Sequence, residues 1–361
     1  MEAKNFKEII GNSIKNAIKS IGLKNEEVSK KLNITRQTLN NYINGSTLID
    51  FEKLIQLSKI VNRDIDYFYR SNYEFSNYHF RSDTNIDNIT KIKFEEKVRR
   101  YIEIEEINEV DNHPYLLEAI LDKFDRKFIK EISLKIRNIW NISYDVPILN
   151  PIYVLEENGI RIIQSGAVNP ETSGFSVFND KYGYFIFLNT DSTIERQFFT
   201  CVHELAHFIF NKNDYQADLK IENKKLKEDI ANEFAGQFLI PTQALRKYLS
   251  EKNLMEIDFD EVIELKKYFH VSALCMAKRL WKEKLIDDSK YNRLRQKLEK
   301  EIGEKKEIDG LEKEKYPVNF RFNNLIKCAF QKNRISLSKI AELEDITLIE
   351  ARNIVKEWAI N

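Results

Sequence analysis

Helix-breaking residues are scarce. Ten glycines and six prolines in 361 residues leave few points where a helix must stop, and the chain reads as mostly helical. Three cysteines, Cys201, Cys275 and Cys328, are far apart and odd in number, which excludes a disulfide framework and points to a reducing compartment. No stretch offers about 18 consecutive apolar residues, so a transmembrane helix is not expected. The opening MEAKNFKEIIGNSIKN lacks the apolar core of a secretion signal, so a cytoplasmic protein with no membrane partner is expected. Net charge is also missing, with 57 basic and 57 acidic residues. The zero hides an asymmetry: residues 1–70 hold twelve Lys/Arg against eight Asp/Glu, a balance of +4, and the remainder carries −4. What is present, 42% hydrophobic residues, suffices for two or three domains with a real core.

The pattern predicts an α+β chain, mostly α with a small β-sheet. Residues 1–70 read as short amphipathic helices: FKEIIGNSIKNAIKSIG, KNEEVSKKLN, TRQTLNNYING from the N-cap Thr35 to Gly45, and DFEKLIQLSKIVN capped by Asp50. The aromatic, polar DYFYRSNYEFSNYHFRSD has no clear period and reads as a linker or docking segment. Helix resumes in KFEEKVRRYIEIEEI and LLEAILDKFDRKFIKEISLKIRNIW. Around DVPILNPIYVLEENGIRIIQSG, Pro147, Pro151, Gly159 and Gly166 punctuate short β-branched runs. Asn179-Asp180-Lys181 reads as a turn between strands GFSVF and GYFIFLN. Residues 298–315 are charge-dense, read as a solvated helix or linker, and three further helices follow.

The stretch RQFFTCVHELAHFIFNKN places His203 and His207 four residues apart, on one face of a helix. Two neutral imidazoles aimed at one point suit zinc. Glu204 lies about 100° round the helix, poorly placed as a ligand but within reach of an activated water. The bland alternative is a helix with two unconnected histidines. The apolar neighbours, Phe198 to Phe210, argue against it, because an unpartnered buried histidine pair is costly. A third ligand is needed. In LKEDIANEFAGQFLIP, Glu228, Ala231, Asn232, Ala235 and Leu239 share one helix face, otherwise small and apolar, which selects Glu228. Asp229 and Glu233 fall off that face and are expected to be solvated. Cys201 reads as a core thiol, and His79, His113 and His270 as ordinary histidines.

With Glu195-Arg196-Gln197, Phe199 and Thr200 before HELAH, and Glu228, Ala231, Asn232, Phe234, Ala235, Leu239 and Pro241 after it, residues 145–285 resemble the ImmA/IrrE (DUF955) metallopeptidases. The resemblance implies a zincin-like fold, Zn2+ held by His203, His207 and Glu228, and Glu204 as general base. It also implies a protein substrate, often a repressor. Ala206 departs from the family's usual glycine, leaving the ligand positions intact. Three protein ligands leave one position open, the mark of a catalytic zinc. The edge of GFSVF or GYFIFLN could hold a substrate as an added strand.

Within residues 1–70, Val28, Leu32, Ile34, Leu39, Tyr42 and Ile43 can form a small core. The third helix presents Arg36, Gln37, Thr38, Asn40 and Asn41, side chains that read base edges or grip phosphates, with no acid among them. Residues 5–68 resemble the XRE (Cro/C1-type) helix-turn-helix domain, which implies a double-stranded DNA operator and a homodimer on a two-fold site. The tail repeats the rhythm, but Glu342, Glu344, Asp345 and Glu350 suit a structural or dimerisation role better than phosphate contact. The expected organisation is a helix-turn-helix domain over 1–70, a linker and helical connector over 71–144, a metallopeptidase domain over 145–297, and a charged linker with a helical region over 298–361. The combination resembles regulators found near mobile elements and toxin–antitoxin pairs. The leading expectation is a regulator with a zinc-dependent peptidase acting on a repressor-like protein or on its own regulation. The alternatives are a catalytically silent antitoxin or repressor that grips a partner protein, and a purely structural zinc site.

Overall fold

The computed structural model describes residues 3–61, 63, 65–69, 78–80, 86, 88–110, 118–119, 121, 123–166, 171–179, 181–211, 223–254, 256–302 and 307–360. The chain divides into two compact units, residues 1–78 with 86–99, and residues 79–85 with 100–361.

The first unit is a bundle of short helices: α1 (Ala3–Ser20), α2 (Asn25–Lys31), α3 (Arg36–Ile43), α4 (Phe51–Val61) and α5 (Asp66–Tyr69). The expected caps close their ends. Thr35 Oγ1 accepts from Thr38 N at 3.0 Å and Asp50 Oδ1 from Lys53 N at 2.8 Å. Val28, Leu32 and Leu39 are fully buried with Ile14, Leu54, Leu57 and Phe68, while Ile34, Tyr42 and Ile43 pack on this core from its edge. Gly11 lets α1 cross the end of α3, since a Cβ there would lie 2.5 Å from Ile43 O and 2.7 Å from Tyr42 O. Gly45, at φ +69°, ends the α3 turn in the left-handed region, where glycine carries no Cβ penalty.

Strand β1 (Tyr78–Phe80) and helix α6 (Asn88–Ile107) follow, then α7 (Arg126–Ile139) and α8 (Pro151–Glu157). Two expectations are corrected here. Of LLEAILDKFD, the described residues before Arg126 are not helical: Ala119 N instead bonds Ile209 O at 2.9 Å, and Asp125 caps α7. PIYVLEE is a helix rather than a strand. Asn150 caps it, Pro151 takes a position needing no N–H donor, and Gly159 at φ +85° ends the turn that follows.

The sheet then forms from β2 (Arg161–Ser165), β3 (Gly174–Asn179) and β4 (Gly183–Asn189), with strand order β1-β3-β4-β2. β3 and β4 pair antiparallel, with Phe175 opposite Phe187, and β2 runs parallel to β4. Asn179 Oδ1 closes the hairpin turn by accepting from Lys181 N and Tyr182 N; Asp180 lies outside the described residues.

On this sheet lies α9 (Ile194–Phe210), capped by Thr193, and α10 (Lys224–Leu239) returns across it. Phe198, Cys201, Val202, Leu205, Ala206, Phe208 and Ile209 are at most 1% exposed. Each such large apolar side chain contributes about 1.5–3 kcal/mol relative to exposure, so this pair forms a rigid floor. Helices α11 (Thr242–Glu251), α12 (Phe259–Phe269), α13 (Ala273–Lys282) and α14 (Asp288–Glu301) complete the unit with α15 (Phe320–Gln331), α16 (Leu337–Glu344) and α17 (Leu348–Ile360).

The charged stretch is not solvated throughout. The buried Lys266 ammonium bonds Ile308 O at 2.7 Å and Asp309 O at 3.2 Å, and Glu195 Oε1 accepts from Leu311 N at 2.9 Å. The tail is tied in by Asn319, which trades three hydrogen bonds with Gln164, and by Lys339–Glu103 and Arg100–Asp345 pairs.

Candidate functional site

α9 and α10 bring His203, His207 and Glu228 to one point. The two histidine Nε2 atoms are 3.1 Å apart. Glu228 Oε2 lies 3.2 Å from His203 Nε2, and Oε1 lies 3.6 Å from His207 Nε2. Tetrahedral zinc with bonds of about 2.0–2.2 Å separates its ligands by roughly 3.3–3.6 Å, so the three groups stand close to the spacing of ligands around a divalent metal.

The far sides of the imidazoles are fixed too. His203 Nδ1 lies 3.2 Å from Asn232 Oδ1 and His207 Nδ1 3.2 Å from Asn211 Oδ1, and because an amide oxygen can only accept, each contact calls for a proton on Nδ1. With those protons on Nδ1, both Nε2 lone pairs face inward, and a cation between them is the natural partner. Glu204 is buried at 4% exposure, and its Oε2 accepts from Ser176 Oγ on β3 at 2.5 Å. The ligand-type atoms of His203, Glu204 and His207 lie within 4.8 Å of one another. The residues therefore fit a divalent metal, with Glu204 held beside the pair by the strand.

Sequence spacing by itself assigns no role to Ser176, Asn211 or Asn232. Asn232 shares the Glu228 face, Asn211 follows His207 at the same four-residue spacing, and Ser176 is the one polar side chain between Phe175 and Val177, so each left a faint signal.

Asp229 is exposed as expected, but Glu233 is corrected. It is 2% exposed and bonded by Arg126 Nε at 2.9 Å, Gln237 Nε2 at 2.8 Å and Lys282 Nζ. Burial alone would raise its pKa; the hydrogen bond and charge of Lys282, with Arg126 and Gln237, outweigh it and hold the carboxyl down to about 2. A helix-face argument sees only α10 and misses the basic groups brought by α7 and α13. Cys201 is a core thiol, fully buried, with burial pushing its pKa well up. His270 caps α12 and bonds Leu149 O and Tyr316 OH. His113 lies outside the described residues, as does the His79 side chain.

In the first unit, Arg36 and Gln37 are exposed at the start of α3, while Thr38, Asn40 and Asn41 are half-buried. Thr38 bonds the capping Thr35, Asn40 accepts from Asn25 of α2 at 3.3 Å, and Asn41 accepts from Gln37 at 3.1 Å. Gln37 is thus tied to Asn41 on its own helix, Asn40 to α2 and Thr38 to its cap, with Arg36 exposed at the helix start. Among the described residues no helix is long and apolar enough to cross a membrane.

Family models match a segment of each unit. The helix-turn-helix family model matches residues 14–68, and the IrrE N-terminal-like domain of the M78 peptidases matches residues 155–281. No curated protein matches the chain. Among solved structures, a Mycobacterium tuberculosis transcriptional regulator aligns at 12% identity and TM-score 0.32, covering 50% of this chain and 51% of that one. The chain thus spans about half the length of that regulator. Bacillus thuringiensis PlcR, solved with the peptide PapR7 and DNA, aligns at 12% identity and TM-score 0.18, covering 91% of this chain and 99% of its own. These global likenesses are too weak to carry an argument. The chain joins an XRE-type helix-turn-helix DNA-binding domain to an IrrE N-terminal-like domain of the M78 peptidase family.

Proposed function

We propose that this chain is a DNA-binding transcriptional regulator whose second unit is a zinc-dependent endopeptidase acting on a repressor-like protein. The observation that carries the reading is the triangle of His203 Nε2, His207 Nε2 and a Glu228 oxygen, with both imidazoles fixed by asparagines and Glu204 placed beside it. His203, His207 and Glu228 are the ligands, and Glu204 is the general base. A zinc ion bound there supplies Lewis acidity to water and to a peptide carbonyl. Glu204 takes the proton of the attacking water and returns it to the leaving amine. The Ser176 hydroxyl fixes the rotation of that carboxylate by holding Oε2. Asn232 and Asn211 keep the imidazoles aimed.

The DNA half rests on α3. Arg36 and Gln37 read base edges, Asn40 ties α3 to α2, and Thr38, Asn40 and Asn41 offer further contacts to the operator. One such module reads one half-site, so a homodimer on a two-fold operator is expected.

The metal content of purified full-length protein tests the first half. Wild type should bind one zinc per chain; His203→Ala and Glu228→Ala should lose it, and Glu204→Gln should retain it. Zinc retained by Glu228→Ala would remove the ligand assignment. Intact zinc with no cleavage of any cellular protein would favour a silent antitoxin or repressor that grips its partner.

A further inference from the structure

We propose that the large cavity beside His203 is the substrate pocket of this centre, shaped for a bulky apolar side chain of an extended peptide next to the scissile bond. The proposal rests on the peptidase reading above. The cavity has a volume of about 630 Å³ and is walled by α9, α10, α13, α14, the end of β4 and residues just before β3.

Its position ties it to the metal centre. Asn232, which bonds His203 Nδ1, forms part of its wall. Phe199 forms another part, its ring centroid 6.4 Å from that of His203. Arg196, Phe199, His203 and His207 follow one another along a single face of α9 at steps of three and four residues. A peptide seated at the histidines therefore has this cavity as its next neighbour on one side.

Its chemistry suits an apolar occupant. Phe199, Leu274, Cys275, Tyr291 and Ile302 supply apolar surface. Half of the wall's charged groups pair within it, Glu233 with Lys282 and Arg279 and Arg295 with Glu299 at 2.7 Å, and Arg126 from α7 also bonds Glu233. Arg196 spends its guanidinium on Ser173 Oγ, at 3.0 and 2.7 Å. The volume falls within the roughly 300–1,000 Å³ typical of ligand pockets.

Gly236 is the independent sign that the space is meant to be filled from outside. It sits inside α10, where glycine costs about 0.5–1 kcal/mol relative to alanine. Its φ is not left-handed, and a Cβ there would meet nothing nearer than Arg279 Cδ at 4.0 Å. Neither backbone conformation nor packing asks for glycine. What its missing side chain provides is room for something to lie against the helix.

The test uses zinc-loaded full-length protein and two metal-directed probes, acetohydroxamate and a leucyl-phenylalanyl hydroxamate, with affinities measured by calorimetry. The peptide probe should bind wild type at least tenfold more tightly than acetohydroxamate. Gly236→Leu, which fills the cavity, should erase that gain while leaving zinc content and acetohydroxamate affinity unchanged. Gly236→Ala should keep most of it, and Leu274→Trp, narrowing the cavity from α13, should act as Gly236→Leu does should the latter fail to fold. Equal affinity of the two probes for wild type, or a gain that survives both filling substitutions, overturns the proposal. Failure of acetohydroxamate itself to bind would instead strike the metal-centre reading, and this proposal with it.

Discussion

At Glu228 and Glu233, five residues apart on one helix, two carboxylates meet opposite fates. Glu228 faces the imidazoles and Glu233 is locked among Arg126, Lys282 and Gln237. Glu233→Gln should therefore leave zinc stoichiometry unchanged but lower the melting temperature. The pH dependence follows from the depressed carboxyl. Between its ordinary value near 4.5 and about 2 the unfolded chain binds the proton and the folded chain does not. Stability from this group is thus complete above about 4.5 and lost as pH falls toward 2, roughly 3 kcal/mol at most. Acid titration of wild type against Glu233→Gln, followed by circular dichroism, should show the variant's stability falling less over that window. Asn232→Ala should weaken zinc about 10–100-fold, as loss of an orienting partner does, without emptying the site at saturating metal; competition with a chromogenic chelator reads this directly.

The helices were legible wherever a cap and a period coincided. Thr35 and Asp50 announced α3 and α4, and HELAH with its apolar flanks announced α9. Two elements depart from their local pattern because tertiary partners override it. PIYVLEE looks β-branched in isolation, yet Asn150 and Pro151 start a helix. Residues before Asp125 look helical, yet Ala119 pairs with the end of α9. The histidine pair could be read because helical spacing fixes it within α9, and Glu228 because it shares a face of α10 with small apolar residues. Ser176 could not, because its partnership with Glu204 spans 28 residues and depends on how the sheet meets α9. At the α1–α3 crossing, Gly11→Ala should unfold or loosen the first unit, since the new Cβ would meet two backbone carbonyls below 3 Å. Loss of DNA binding with unchanged zinc content is the expected signature. On α3, Arg36→Ala or Gln37→Ala should relax base preference, costing about 1–3 kcal/mol for a bidentate contact, as gel shifts against mutated operators would show.

Across the whole chain, charge is divided: +4 in residues 1–70 and −4 in the remainder. The acidic portion should oppose non-specific DNA binding at low ionic strength. A fragment spanning residues 1–99 is therefore expected to bind random-sequence DNA more tightly than the full chain in low salt, with the difference shrinking as salt rises. The central claim is that one chain couples this DNA-binding unit to a working peptidase, and its most direct test is a comparison of protein N-termini in cells producing wild type or Glu204→Gln at equal levels. Glutamine keeps the shape of the side chain but cannot accept the water's proton. The account predicts new N-termini, from at least one protein, that appear with wild type and vanish with Glu204→Gln although both bind one zinc; identical sets of N-termini from the two would contradict it.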